Sequence, residues 1–378
     1  MIRPLVALDI GSTKVACAIG LPHEDTPGFD LLGSSVIPYP SLSNAWLSDP
    51  LLVGRTIEQA LESTAITGDF HRALVTISHP ALVSEQVQTS IDLADEPIVV
   101  RTQDLDRLKA RALDHVLGVD REPLFVERLG CSGNGFQYVR EPVGLSATRL
   151  TGTFHIVTMP LAARRALVQA VESAGLEVGR LMFSLQVVAA TAAKEEAHRR
   201  HALLMDIGGL NTDVGLLVEG RLQNTQTIPW GGLTLARDLA TSSKLTFEQA
   251  ITLSLEGLAS RKPEVRQFLE HALRDLRQVI ERLLEDEPLP EIALVTGRGA
   301  LIDGIVEWLE ETTKIKASVV RSPRTQIVGD LSRQIALSTV LSLLELETGS
   351  PARKPLLSTS HLLDRVISRT KTVLTEYF

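Results

Sequence analysis

Two phrases of the chain end an apolar strand with an acid, follow it with glycine, and place hydroxyl or amide side chains before a second apolar strand. The first is Leu5-Val-Ala-Leu-Asp9-Ile-Gly11-Ser12-Thr13-Lys14-Val-Ala. The second is Leu203-Leu-Met-Asp206-Ile-Gly208-Gly209-Leu-Asn211-Thr212-Asp213-Val-Gly215. Glycine lacks a Cβ and lets a turn approach a ligand closely, and the N–H groups freed there can point at an anion. A carboxylate belongs beside a phosphate only when a divalent cation lies between them. Asp9 and Asp206 are therefore expected to hold Mg2+ through water. Gly11, Ser12, Thr13, Gly208, Gly209, Asn211 and Thr212 are expected to meet phosphate oxygens, and Lys14 to add a point charge.

A third glycine turn, Gly297-Arg298-Gly299, follows the apolar run Ile292-Ala-Leu-Val-Thr296. A helix expected from Ile302 would aim its positive end at that turn, which is assigned the nucleoside end of the ligand. Trp230-Gly231-Gly232 is a further close-approach turn. One glycine turn after a strand is more often only a tight turn. Two near-copies of strand–Asp-Ile-Gly–strand, one in each half, point to duplicated domains that clamp a polyphosphate across a cleft. A pair of purely structural hairpins leaves both acids unexplained. Hydrolysis also needs a water held in line with the γ-phosphate. Gln186, at a strand-to-helix junction, is the candidate, and satisfying the helix start is its competing role. Asp213 is a second polar candidate, or a brace for its turn.

The elements that must position these residues follow from periodicity. Strands over 5–20 and 31–36, a helix over 51–63 and a strand over 72–78 give β-β-β-α-β. Residues 81–159 change rhythm and read as an inserted β-α-β-β subdomain, its helix capped by Thr102 with Asp104 in the first turn. A helix over 161–174 ends at Gly175. A strand over 178–183 then leads to a helix over 187–196. Past the second hairpin come helices over 233–240, 246–258 and 264–285, the strand 292–296, and a last core helix over 332–346. Residues 347–360, rich in Pro, Ser, Thr and Gly, read as a linker. Beyond it, Leu362, Leu363, Val366, Ile367, Val373, Leu374, Tyr377 and Phe378 fall on one helical face opposite Asp364, Arg365, Arg369, Lys371 and Glu376. A helix of that length, about 27 Å, is too short and charged to span a bilayer but suits its interface. Docking on the body or on a partner is the competing use.

Composition narrows the function classes. The chain has 378 residues, 44% hydrophobic and 22% charged, which suits a globular protein of two or more domains. A net charge of −8 argues against a nucleic-acid partner. Cys17 and Cys131 are the two cysteines, too few for a disulfide scaffold, so a reducing cytoplasm is expected. Cys17 is read as a small buried apolar residue. No signal peptide or membrane-spanning run is seen.

These motifs resemble those of the actin/Hsp70/hexokinase ATPase superfamily, whose fold is α/β with duplicated ribonuclease H-like domains. Within it the chain resembles the FtsA family of bacterial division proteins. The resemblance rests on Leu8-Asp-Ile-Gly-Ser-Thr-Lys-Val-Ala, Met205-Asp-Ile-Gly-Gly, Ile228-Pro-Trp-Gly-Gly and Val295-Thr-Gly-Arg-Gly-Ala. Its most specific part lies outside the ATPase core: Phe136-Gln-Tyr-Val-Arg-Glu-Pro-Val-Gly-Leu-Ser-Ala-Thr-Arg-Leu150. The resemblance implies subdomain 1A over 1–80 and 160–185, inserted subdomain 1C over 81–159, 2A over 186–240 and 295–346, and a short 2B over 241–294. It implies ATP and Mg2+ in the cleft, and head-to-tail polymerisation through 1C. It also implies binding of the C-terminal tail of FtsZ through 2B, contact with inner-membrane lipids and further division proteins, and residence on the cytoplasmic face of the membrane at the division site. Leu210 stands where the family usually has a third glycine or small residue, and Arg298 where glycine is common. Nucleotide binding with at most weak ATPase turnover is therefore expected. A PilM-like scaffold of a pilus machine is the alternative. A sugar kinase would need an acid poised as base over a substrate hydroxyl, and no third acid is evident near the hairpins.

Overall fold

The computed structural model describes residues 3–39, 49–194, 201–256, 270–285 and 287–349. The expected linker beyond residue 349 and the expected amphipathic helix with Leu362, Leu363, Val366, Ile367, Val373, Leu374, Tyr377 and Phe378 lie outside the described residues. So do 40–48, 195–200 and most of the N-terminal half of the helix expected over 264–285.

The first half opens with the hairpin β1 (Leu5–Ile10) and β2 (Lys14–Pro22), followed by β3 (Phe29–Pro38), helix α1 (Pro50–Glu62) and β4 (Arg72–Ile77). Helix α1 starts where Asp49 accepts from the Leu52 N–H and Pro50 occupies the first turn, where its missing N–H costs nothing. The inserted block then runs β5 (Val83–Asp92), β6 (Ile98–Val99), α2 (Thr102–Val116), β7 (Arg121–Gly133), β8 (Phe136–Val139), β9 (Ser146–Ala147) and β10 (Arg149–Pro160). It is richer than β-α-β-β: β10 lies between β5 and β7 in a four-stranded sheet, and β6 pairs with β9. Thr102 is not the cap of α2. Arg101 takes that place because its N–H donates to Asp104 Oδ2 (2.9 Å), which fixes the first turn from inside.

The chain returns through α3 (Leu161–Ser173), β11 (Glu177–Phe183) and α4 (Ser184–Ala192). The second half begins with β12 (His201–Ile207), β13 (Thr212–Val218) and β14 (Arg221–Ile228), then α5 (Gly232–Ser243), α6 (Phe247–Glu256) and α7 (Arg274–Leu284). It closes with β15 (Ile292–Thr296), α8 (Ile305–Thr313), β16 (Ala317–Val319) and α9 (Leu331–Gly349). The helix expected at Ile302 is displaced. A 3-10 turn over Arg298–Leu301 comes first, and Gly304 in the left-handed region starts α8. Helix α9 takes the first residues of the expected linker, running to Gly349.

Duplication is visible in the sheets. The first has the order β11-β4-β1-β2-β3 and the second β14-β13-β12-β15-β16, the same pattern read from opposite ends. In each, an antiparallel hairpin is extended by a parallel strand beside its first member: β1 with β4, and β12 with β15. Strand alternation divides the second sheet's burial. Leu203, Met205 and Ile207 face a core closed by α5, α7 and α8, while Ala202 and Leu204 join the core of the first half. On the first sheet, α1 and α3 cover one face. The other face is covered by α9, whose Leu337, Val340, Leu341 and Leu344 meet Ala7, Ala16, Ala18 and Leu74. The sequence expectation placed this helix with the second sheet. Small residues on β1 and β2 leave room for it on the first.

The inserted block leans on β14. His155, fully buried on β10, donates through Nδ1 to Leu222 O (2.9 Å) and accepts at Nε2 from Ser84 Oγ (2.9 Å) and Thr225 Oγ1 (3.1 Å). Burial holds this imidazole neutral, down to about 4, against the opposing pull of the Leu222 carbonyl. Around it, Arg221 pairs with Glu127 (3.2 Å), Arg140 with Glu219, and Gln86 Nε2 donates to Asn224 Oδ1 (2.5 Å).

Candidate functional site

Both hairpin turns close in the same way. Gly11 N–H donates to Lys14 O (3.0 Å) and Gly208 N–H to Asn211 O (2.9 Å). The two turns meet. Leu210 N–H donates to Ser12 Oγ (3.1 Å), and a Cβ on Gly209 would lie 2.2 Å from Thr13 Cγ2. No side chain larger than glycine's hydrogen fits there without moving Thr13. Asn211 Nδ2 donates to Ser78 Oγ, a second link across the halves. The start of α5 is tied to the same turn, Gly232 N–H donating to Gly208 O (3.0 Å) and Leu233 N–H to Gly209 O (2.8 Å).

Together the turns line a cavity of about 310 Å³. Into it come Asp9, Gly11, Ser12, Thr13 and Lys14 from the first hairpin, and Asp206, Gly208, Gly209, Asn211 and Asp213 from the second. Gly232 and the third turn, Gly297, Arg298 and Gly299, line it as well. Its apolar wall comes from α6 (Ile251, Leu255), Leu301, Ile302 and α9 (Ile335, Ala336). Three residues named from sequence stand elsewhere. Thr212 is fully buried and donates to Trp230 O (2.8 Å), holding β13 to the turn after β14. Gly231 packs against the second turn, where a Cβ would meet Gly208 O at 2.6 Å, and it does not line the cavity. Gln186 does not line it either, because α4 starts at Ser184 and carries Gln186 past the opening.

Ser78 and Ser184 also line the cavity. The signal for them is parallel pairing. Ile77 on β4 stands in register with Ile10 on β1, and Phe183 on β11 with Ile77. The residues just past these ends therefore share one edge with the first hairpin turn, as ligand contacts do at the carboxyl ends of parallel strands.

Electrostatically the cavity holds more negative charge than it neutralises. Asp9 is engaged at both oxygens, by Lys14 Nζ (2.9 Å) and by Thr76 Oγ1 (3.1 Å). Burial pushes Asp206 up to about 7, with Asp213 and Asp9 adding repulsion that Lys14 partly relieves. Burial pushes Asp213 up to about 6, against hydrogen bonds from Ser78 and Thr227, with Asp9 again raising it. Among the described residues no three His, Cys, Asp or Glu side chains converge as a ligand set. A divalent cation held through water near Asp206 fits this excess charge. Asp9, which already accepts one hydrogen bond at each oxygen, suits the same ion through water.

Known proteins resemble this chain in sequence and fold. A family model described as Cell division protein FtsA matches residues 203–342, and one described as SHS2 domain inserted in FTSA matches residues 80–158. Between them they match more than half of the chain. The Cell division protein FtsA of Pseudomonas aeruginosa is 23% identical over 339 residues, 82% of this chain and 81% of its own. That of Neisseria meningitidis serogroup B is 24% identical over 384 residues, 90% of this chain and 89% of its own. A solved PilM-PilN type IV pilus biogenesis complex superimposes with a TM-score of 0.69 at 14% identity, covering 93% of this chain and 100% of that one. At that identity the likeness is one of fold, and the fold is actin-like.

Proposed function

We propose that this chain, which belongs to the FtsA family of the actin-like ATPase superfamily, binds ATP with Mg2+ in the cleft and tethers FtsZ filaments to the cytoplasmic membrane during bacterial cell division. One observation carries the nucleotide part: two strand–Asp-Ile-Gly–strand hairpins from duplicated sheets meet at one cavity. Asp9 and Asp206 would hold the Mg2+ through water, and the metal would offset phosphate charge beside the buried carboxylates. Gly11, Ser12, Thr13, Gly208, Gly209 and Asn211 would contact phosphate oxygens, with Lys14, which is paired to Asp9, adding a point charge. The Gly297-Arg298-Gly299 turn and the apolar wall would take the nucleoside. Leu210 is buried between the turns and Arg298 stands exposed at the third. Both suit binding and switching with slow turnover.

Residues 81–159 form the subdomain through which copies join head to tail. Residues 241–294 receive the C-terminal tail of FtsZ, and 361–378 lie in the membrane surface. Among the described residues no helix is long and apolar enough to cross a membrane. A PilM-like scaffold is the second reading, favoured by the superposition on the PilM–PilN complex.

Sedimentation with anionic lipid vesicles and ATP tests the assembly. The full chain is expected to pellet with vesicles and to carry an FtsZ-tail peptide down with it, while a chain lacking 361–378 stays in the supernatant. Unchanged pelleting after the deletion would sink the membrane claim. Vesicle binding without peptide capture would turn the account toward the PilM-like scaffold.

A further inference from the structure

Helix α4 begins at the cleft with a hydroxyl that has no partner among the described residues. Ser184 is 2% exposed, its Oγ makes no hydrogen bond, and it lines the cavity. The preceding Phe183 offers the helix no side-chain cap, so the N–H groups of the first turn also lack a side-chain acceptor. Of the two neighbouring cavity hydroxyls, Ser12 accepts from the Leu210 N–H, and Ser78 accepts from Asn211 and bonds to Asp213. A buried hydroxyl beside a helix's positive end is a donor set for an oxygen-rich anion.

The place of α4 says which part of a ligand it meets. Leu185 packs on β13, its Cδ2 3.0 Å from where a Cβ on Gly215 would stand. In the sheet, β13 and β15 flank β12 on opposite sides, and β15 carries the Gly297 turn. A nucleotide with its nucleoside at Gly297 and its phosphates at the two hairpin turns therefore points its phosphate end toward α4.

We propose that Ser184, with the N-terminus of α4, reads the terminal phosphate. Its hydroxyl donates to an oxygen of the third phosphate of a nucleoside triphosphate and finds no equivalent oxygen on the diphosphate. This rests on the reading of the cleft as a nucleotide site. A neutral hydroxyl cannot accept a proton from water at neutral pH, so Ser184 sets preference between triphosphate and diphosphate without acting as a base.

The test is binding of ADP and of a non-hydrolysable ATP analogue to the full chain with Mg2+, for the wild type and Ser184→Ala. The substitution is expected to weaken the triphosphate analogue about tenfold and leave ADP unchanged, as loss of one hydrogen bond to a charged group would. The thermal midpoint without nucleotide is expected to hold, since no native hydrogen bond is lost. An unmoved ratio of the two affinities, with both ligands bound by the wild type, overturns this assignment alone. A wild type that binds neither overturns the nucleotide reading and this inference with it.

Discussion

Gly297→Ala is expected to destabilise the nucleotide-free protein by about 3–5 kcal/mol, from the sum of backbone strain and overpacking. Gly297 has φ +77°, where a side chain is strained, and an added Cβ would stand 2.4 Å from both Asp206 Oδ1 and Ile207 O. The carbonyl belongs to Ile207, the last residue of β12, which is paired with Thr212 on β13, so it cannot yield without disturbing the second hairpin. Asp206 can yield only by leaving the place where the account puts the metal's water shell. The same substitution therefore removes nucleotide binding. Thermal unfolding should show a midpoint about 10 °C lower for the unit containing the second sheet. Gly349→Ala is the control, since nothing lies within 4 Å of its added Cβ. A Gly297→Ala protein with wild-type midpoint and nucleotide affinity would show that the third turn does not hold the shape described.

Asp206→Asn is expected to separate stability from function. The folded carboxyl of Asp206 is raised to about 7 from 3.8, chiefly by burial. A raised acid contributes its stability in full below the unfolded value and loses it as pH rises through the folded one. The nucleotide-free wild type should therefore lose stability from this group between pH 4 and pH 7, by an amount on the order of 2–4 kcal/mol. Asparagine has the same shape and no charge, so the variant should lack this slope and exceed the wild type in midpoint at pH 8. Asp213, raised to about 6, adds a smaller slope of the same sign that the single variant keeps. ATP with Mg2+ should raise the wild-type midpoint and leave that of Asp206→Asn unmoved. Parallel pH–stability curves for the two proteins would contradict the account of Asp206 as an uncompensated buried acid.

The sequence carried the hairpins well for a physical reason. A turn that must admit a close neighbour needs glycine, and a strand end facing a charged ligand needs a polar side chain. Asp-Ile-Gly shows both within a few residues, twice. Ser78 and Ser184 were silent because their place depends on parallel pairing of β4 with β1 and of β11 with β4. Such pairing joins distant segments and leaves no local mark. Gln186 has fitting chemistry at the right junction, but α4 starts two residues before it and carries it past the cavity. Thr212 has the right chemistry too, but strand alternation turns its hydroxyl to Trp230 O. Helix α9 was legible as a helix, while its docking on the first sheet was not. Its apolar residues lie on several faces, and the alanines of β1 and β2 that make room for it read from sequence as ordinary strand residues.

The two hairpins are proposed to form one Mg2+-dependent nucleotide clamp. Titration of a fluorescent ATP analogue with the full chain, with Mg2+ and then with excess EDTA, tests it most directly. Saturable binding is expected, competed by ATP and weakened at least tenfold on chelation, about 1.4 kcal/mol or more. No saturable binding, or the same affinity with and without Mg2+, would contradict it.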